Sequence, residues 1–142
     1  MSKSRRQSRE DALKILYQRD LNSELTAEMA VTYFEKLFSK SKPADEFTKD
    51  LVMGVSEKLQ FLDETIAKLS ENWRPDRMAA VDRNILRLGL YELNFRHDVP
   101  ATVTINEMVE LAKEFGAEHS SAFINGVLDK ASKSLNLPQK AP

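Results

Sequence analysis

The chain has 142 residues, 42% of them hydrophobic, which is enough for one domain or for two small helical bundles that share an interface. It contains no cysteine, so disulfides and thiolate chemistry are excluded, as is usual in the reducing cytoplasm. No apolar run reaches the roughly 18 residues of a membrane span, and the basic N-terminus lacks the apolar segment of a secretory signal.

The charge is nearly balanced overall but unevenly distributed. The net charge of −1 argues against a protein that binds polyanions over its whole surface. Residues 1–9 contain Lys3, Arg5, Arg6 and Arg9 and no acidic residue, so the remainder of the chain carries a net charge of −5. A basic head on an acidic body predicts that an anion binds locally, at the N-terminus.

The first half of the chain predicts three helices. The first spans residues 5–21, is capped by Ser4 or Ser8, and places its arginines in its first turns. The second is predicted from about Leu25 to Lys40. The third is predicted as the longest, because its apolar residues recur every three or four positions from Phe47 to Leu69.

A break at residues 74–76, Arg-Pro-Asp, separates the two halves and predicts subdomains at 1–73 and 74–142. The helix that follows, residues 81–96, is apolar around most of its circumference, so it is predicted to be the buried central helix. Asp82 lies near its start, where the helix dipole favours a carboxylate.

Two further helices are predicted after a turn at residues 98–100. Thr104 and Glu107 resemble a capping box at the start of the first, with Val103 and Met108 as its hydrophobic staple, and Gly116 is its stop signal. The last helix begins near His119, and its internal Gly126 predicts a close helix contact. No segment predicts a strand, so the predicted fold is all-α, with about seven helices in two packed subdomains.

The sequence offers little for catalysis. Its two histidines lie in different segments, no residues have metal-ligand spacing, and no glycine-rich phosphate loop is present. We therefore predict a binding protein without a cofactor. The basic head is either a solvated terminus or a phosphate-binding patch, because guanidinium groups suit bidentate contacts with phosphate.

Other candidate binding residues also have a plain structural interpretation. Phe123 is either a core residue or a platform on which an unpaired base stacks. His119 and Ser120 suit the end of a helix. Tyr17 and Asp82 are either a core residue and a helix-end residue, or parts of a protein interface.

Five blocks in order resemble the NusB family of transcription antitermination factors, and the match runs almost from end to end. The ordered set is specific, although any single block would be weak. The blocks are Arg5-Arg6 through Leu16-Tyr17, Val81-Asp82-Arg83 through Tyr91-Glu92-Leu93, Val99-Pro100, Ile105-Asn106-Glu107 through Ala112-Lys113, and Phe123-Ile124-Asn125-Gly126 through Asp129.

The resemblance implies a non-catalytic bacterial RNA-binding protein with an all-α fold of two helical subdomains. Such a protein pairs with NusE, the small-subunit ribosomal protein, on the boxA sequence of nascent RNA. The complex joins RNA polymerase and the other Nus factors, notably on ribosomal RNA operons. The free protein is a monomer or a homodimer, and the compartment is the cytoplasm.

The resemblance also implies which residues bind. It assigns the RNA surface to the arginine-rich first helix and to the start of the last helix, and the NusE side to three other residues, one of which also lies in the first helix. This chain departs from its relatives at His119, where they often carry an acid, and at Ala122, where they often carry a lysine, so more weight falls on the first helix. The RNA-binding candidates are Lys3, Arg5, Arg6, Arg9, His119, Ser120 and Phe123, and the NusE candidates are Tyr17, Asp76 and Asp82.

Two alternatives stand beside this interpretation. The chain could be an adaptor of the same fold that binds only proteins, which titration with boxA RNA would reveal. The fold also resembles the N-terminal domain of some ribosomal RNA cytosine methyltransferases. That alternative is weaker, because the sequence contains no cofactor-binding loop.

Overall fold

The computed structural model describes residues 4–38, 43–71 and 74–137, and within these ranges every regular element is helical. The predicted all-α class is therefore confirmed. Seven α-helices are described, together with a short 3-10 turn at Pro75–Arg77. The helices are α1 (Arg5–Leu21), α2 (Ala27–Leu37), α3 (Glu46–Glu57), α4 (Leu59–Leu69), α5 (Ala80–Phe95), α6 (Ala101–Phe115) and α7 (Ser120–Ser134).

The chain forms two compact units, one up to Glu57 and the other from Lys58 onward. This division lies earlier than the boundary after residue 73 that the Arg-Pro-Asp break suggested. The single long helix predicted here is wrong, because α3 ends at Glu57 and α4 begins at Leu59. The apolar stripe continues across the break, but α3 packs on α1 and α2 while α4 packs on α5 and α7. The spacing of apolar residues in the sequence shows which side of a helix is buried, but it does not show which neighbouring helices cover that side.

Unit 1 consists of α1, α2 and α3 around a small apolar core. Helix α1 has the predicted bounds and is capped by Ser4, whose hydroxyl accepts a hydrogen bond from the Gln7 backbone N–H at 3.1 Å. Helix α2 begins after Thr26, while its predicted end near Lys40 lies outside the described residues. The core side chains include Ala12, Ile15 and Leu16 from α1, and Leu51, Val52 and Val55 from α3.

Unit 2 is organised around α5, which packs against α4, α6 and α7. Every residue of α5 from Asn84 to Leu93 is buried, so the predicted central helix is confirmed. Arg87 is tolerated in this core because its Nε and Nη2 donate to the two carboxylate oxygens of Asp63 at 2.8 and 2.9 Å. Such a bidentate pair meets the need of a buried charge for a partner.

The start of α6 differs from the prediction. The helix begins at Ala101, directly after Pro100, so Thr104 is not its N-cap. Thr104 is instead fully buried, and its hydroxyl lies 3.2 Å from Glu92 Oε1, to which it donates. Val103 is exposed and makes no staple. The capping-box pattern also suits a buried threonine one turn inside a helix, which explains the error. The predicted stop at Gly116 is confirmed.

The two helix-internal glycines of unit 2 have opposite surroundings. A Cβ atom at Gly126 would meet nothing within 4 Å, so the close helix contact predicted there is wrong. That contact belongs to Gly89, where a Cβ would lie 2.7 Å from Leu128 Cδ1 and 3.1 Å from Met108 Cγ. Gly89 thus allows α5 to approach α6 and α7 closely. In the described part of the chain, no helix combines the length and the apolar character needed to cross a lipid bilayer.

Candidate nucleic-acid interface

The arginine cluster, defined as Arg5, Arg6 and Arg9, lies in the first two turns of α1. Arg5 and Arg6 are exposed, as predicted for phosphate-binding groups. Arg9 is only 3% exposed, so a phosphate-binding patch at this end of α1 cannot present all three side chains to solvent. Helical spacing explains the difference, because Arg9 shares the side of α1 that carries buried Ala12 and Leu13. Lys3 lies outside the described residues.

A phenylalanine from α3 lies against the arginine cluster. The guanidinium carbon of Arg5 is 4.3 Å from the centroid of the Phe47 ring, and that of Arg9 is 5.2 Å from the same centroid. Both distances fall within the range at which a cation is attracted to an aromatic face. The two arginines are one helical turn apart, so a single ring serves both.

Hydrogen bonds between the starts of α1 and α3 hold this arrangement. Asp45 caps α3, since its Oδ1 accepts from the Thr48 backbone N–H at 2.8 Å. Its Oδ2 accepts a short hydrogen bond from the Ser8 hydroxyl. The Thr48 hydroxyl in turn donates to the Ser8 backbone carbonyl at 3.2 Å. In the sequence, Ser8 lies between Arg5 and Arg9, and Phe47 lies between Asp45 and Thr48. The hydrogen bonds from Ser8 to Asp45 and from Thr48 to Ser8 therefore fix the Phe47 ring relative to the two arginines.

The start of α7 carries the other RNA-binding candidates. His119 occupies the N-cap position and is exposed. Ser120 is only 4% exposed, and its hydroxyl accepts a hydrogen bond from the Ala117 backbone N–H at 2.9 Å, which closes the loop before the helix. Its role in this arrangement is therefore structural. Phe123 is partly exposed rather than part of the core, so part of its side chain is accessible to solvent.

A cavity of about 290 Å³ in unit 2 joins residues that were assigned to different partners. Asp82, a NusE candidate, lines it together with the RNA candidates His119, Ser120 and Phe123. Asp82 lies in the first turn of α5, as predicted. Its Oδ1 is buried and, among the described residues, has no hydrogen-bond partner. A buried acceptor of this kind favours binding of a group that donates a hydrogen bond. The remaining lining residues are Arg77, Met78, Ala79 and Ala117.

The other two NusE candidates are also accessible. The Asp76 side chain, in the 3-10 turn, is 67% exposed and lies 3.5 Å from Arg74 Nε. Tyr17 is partly exposed on α1. Tyr17 and the arginine cluster belong to unit 1, and Asp76, Asp82 and the start of α7 belong to unit 2.

Sequence reasoning missed Phe47 and the wall of the cavity. Phe47 was interpreted as one member of a long apolar stripe, and nothing in the sequence of α1 indicates which aromatic residue it meets. Arg77 and Met78 follow a proline break and have no periodic neighbours. Asp45 caps α3 two residues before Phe47. This cap marks where the helix begins, but it does not indicate that Phe47 contacts an arginine.

Comparison with known proteins identifies relatives over nearly the whole chain. The profile of the NusB family matches residues 6–133. The protein named transcription antitermination protein NusB from Myxococcus xanthus is 46% identical over 138 residues, which cover 95% of this chain and 99% of that protein. The relatives' name describes a transcription factor, in agreement with the expectation of a non-catalytic protein.

Comparison with solved structures also identifies NusB proteins as relatives. T. maritima NusB superposes with a TM-score of 0.81 at 34% identity, covering 94% of this chain and 93% of that one. A chain from the crystal structure of the antitermination factors NusB and NusE in complex with double-stranded RNA superposes with a TM-score of 0.78 at 30% identity. That match covers 92% of this chain and 96% of the other.

Proposed function

The chain belongs to the NusB family, and on this premise we propose that it is a transcription antitermination factor that binds boxA RNA together with NusE. In this proposal the complex forms on nascent transcripts in the cytoplasm and joins RNA polymerase and the other Nus factors, notably on ribosomal RNA operons. The structure of NusB and NusE with RNA, a relative at 30% identity, supports both partners.

The observation that carries the RNA-binding part is the arginine cluster. Arg5 and Arg6 are exposed on the first turn of α1, where their guanidinium groups can form bidentate contacts with phosphates. Arg9 lies beneath them, so it contributes positive charge while its side chain remains stacked on Phe47. Because the remainder of the chain has a net charge of −5, RNA phosphates are attracted to this patch rather than to the rest of the surface.

The start of α7 supplies the second part of the RNA surface. The partly exposed ring of Phe123 offers a face on which an unpaired base can stack. His119 is exposed beside it and can donate to a phosphate or a base. Ser120 positions this segment through its bond to Ala117 rather than by direct contact. Ala122 in place of a lysine lowers the positive charge here, so binding depends more strongly on α1.

A charge-reversal experiment tests the RNA-binding part. Reversing both Arg5 and Arg6 to glutamate should weaken binding of boxA RNA in the presence of NusE, while the melting temperature shifts by only a few degrees because both side chains are exposed. For each phosphate that the variant no longer neutralises, the slope of log K against log salt should fall in magnitude by about 0.7. Arg9 is left intact, because reversing a buried arginine would destabilise unit 1.

The control for this experiment reverses Lys68 and Lys113, which are exposed on α4 and α6. It changes the net charge equally, so it separates local contact from the field of the whole protein. If the arginine variant keeps both the affinity and the salt slope of the wild type, the assignment of α1 is wrong. If wild-type protein binds NusE but not boxA RNA, the protein-only adaptor is the correct function.

On the NusE side we propose that Tyr17, Asp76 and Asp82 contact the partner. Asp82 has a buried carboxylate oxygen without a donor among the described residues, and a basic side chain of NusE could supply one. As a residue of the first helical turn, it contributes only about 0.3–1 kcal/mol to stability. Its replacement should therefore affect association more than folding.

The corresponding variant is Asp82→Lys. It should shift the melting temperature by only a few degrees, leave weak binding to RNA alone in place, and markedly weaken the complex with NusE in calorimetric titration. Glu64→Lys, which reverses an exposed acid on α4 of the same unit, is the matched control. Wild-type affinity of a folded Asp82→Lys protein for NusE would remove Asp82 from the interface.

A further inference from the structure

Phe47 has an unusual environment for a partly exposed aromatic residue. Its ring faces two guanidinium groups, those of Arg5 and Arg9, at 4.3 and 5.2 Å. These two groups carry the same charge and lie one turn apart on α1, where like charges repel one another. The Phe47 ring thus contacts both members of this like-charged pair at once.

The face of the Phe47 ring attracts the guanidinium groups because the π-electrons give it a partial negative charge. Attraction between that face and each guanidinium offsets part of their mutual repulsion. It also adds to the contacts that restrict the rotamers of these long side chains. When a phosphate binds, less conformational entropy is lost from an arginine that is already restricted, so binding is tighter.

The backbone around Phe47 is fixed independently of the arginines. Two hydrogen bonds, from the Ser8 hydroxyl to Asp45 and from the Thr48 hydroxyl to the Ser8 carbonyl, connect the starts of α1 and α3, and a third, from the Thr48 N–H to Asp45, caps α3 itself. The ring is thus held on a rigid support, and the arginines adjust to it. The buried Arg9 forms the inner part of this stack, and the exposed Arg5 forms the outer part.

We propose that Phe47 is a positioning residue for RNA binding, which orients the Arg5 guanidinium, with Arg9 behind it, for contact with the phosphate backbone. This inference rests on the proposed RNA-binding function and adds a residue that makes no contact with RNA itself. It follows that the affinity of α1 for RNA depends on an aromatic face supplied by α3, and not only on the number of its arginines.

The test replaces the ring while keeping an apolar side chain of similar size. Phe47→Leu should weaken binding of boxA RNA, measured with NusE present, about 2- to 5-fold, the equivalent of removing one partly exposed cation–π interaction. Phe47→Tyr keeps the aromatic face and should restore wild-type affinity. Phe38→Leu removes an exposed ring elsewhere in unit 1, one that packs on Phe34 with a centroid distance of 5.7 Å, and should have no effect.

A double-mutant cycle separates positioning from a general structural effect. In an Arg5→Gln background, Phe47→Leu should lose most of its effect on RNA affinity, because the arginine on which it acts is absent. Melting curves of each variant show whether the fold is intact. If Phe47→Leu does not fold, Phe47→Met, with a flexible side chain, takes its place in the same cycle.

Nuclear magnetic resonance tests the geometry without RNA. Side-chain protons of Arg5 and Arg9 above the ring should be shielded in the wild type and in Phe47→Tyr, and should lose that shielding in Phe47→Leu. An equal loss of RNA affinity in the presence and absence of Arg5, or wild-type affinity of folded Phe47→Leu, would overturn the inference. Failure of wild-type protein to bind RNA would instead overturn the proposed function itself.

Discussion

Replacing either of the two helix-internal glycines of unit 2, Gly89 or Gly126, with alanine should change the stability of the protein, but in opposite directions. Replacing Gly126 with alanine adds a methyl group into open space on α7. The change should therefore stabilise the protein by about 1 kcal/mol, the difference in helix propensity between the two residues. At Gly89 the same methyl group would lie 2.7 Å from Leu128 Cδ1, a side chain that is itself fully buried.

At Gly89, the cost of overpacking, about 1–3 kcal/mol, outweighs the gain in helix propensity, so Gly89→Ala should destabilise the protein by up to ~2 kcal/mol. Urea denaturation followed by circular dichroism measures both variants, and a shift in midpoint at constant slope reports a change in stability. The reasoning fails if Gly126→Ala lowers the midpoint or if Gly89→Ala raises it. A lower midpoint of Gly126→Ala would mean that this side of α7 is covered, and a higher midpoint of Gly89→Ala would mean that α5 packs on α6 and α7 less closely than described.

Three more substitutions test the core of unit 2 by the same denaturation assay. Leu88→Ala empties a fully buried position and should cost about 2–5 kcal/mol, while a loss under ~1 kcal/mol would place that face of α5 in solvent. Asp63→Ala leaves the buried Arg87 guanidinium without its carboxylate and should cost about 1–3 kcal/mol, whereas an unchanged midpoint would show that Arg87 is hydrated. Thr104→Val removes the hydroxyl that donates to Glu92 and should cost about 1 kcal/mol, whereas an unchanged midpoint would show that the buried Glu92 does not depend on this hydrogen bond.

Helix positions were predictable where a local signal and a burial pattern agreed. A capping serine, Ser4 or Ser8, and the apolar stripe behind it predict the bounds of α1, and the structure has these bounds with Ser4 as the cap. The central helix α5 was predictable because apolar residues on all sides leave a helix no solvent face. In both cases the information lies within one helix, so no knowledge of its neighbours is needed.

The errors occurred where the outcome depends on the neighbours. Residues 46–69 carry one continuous apolar pattern, yet they form two helices that pack on different partners. Thr104 has the sequence context of a cap but faces Glu92 of another helix. Gly89 and Gly126 both interrupt helical patterns, and only the packed structure shows which of them makes room for a side chain.

At the candidate RNA surface, too, some features could be predicted from the sequence while others depend on how the helices pack. A local excess of positive charge at the N-terminus predicted where RNA would bind, since charge is counted directly from the sequence. The burial of Arg9 and its stacking on Phe47 depend on how α3 packs on α1. The arginines were therefore predictable as a group, but their division into an exposed outer pair and a buried inner member was not.

The cavity of unit 2 leads to a last prediction, on coupling between the two proposed partners. Asp82 and Phe123 line the same cavity, so a NusE side chain that reaches Asp82 changes the surroundings of the ring on which a base would stack. NusE and boxA RNA should then each raise the affinity for the other by the same factor, because coupling between binding sites is reciprocal.

Calorimetric titration of NusE in the presence and absence of boxA RNA measures this factor. Phe123→Ala should reduce it while leaving the affinity for NusE alone nearly unchanged, since the ring is assigned to RNA. Tyr17, on α1 of unit 1, does not line the cavity, so Tyr17→Ala should weaken NusE binding with and without RNA to a similar extent. If Phe123→Ala leaves the factor as it is in the wild type, the cavity does not connect the two partners, and any coupling arises from contacts between NusE and RNA themselves.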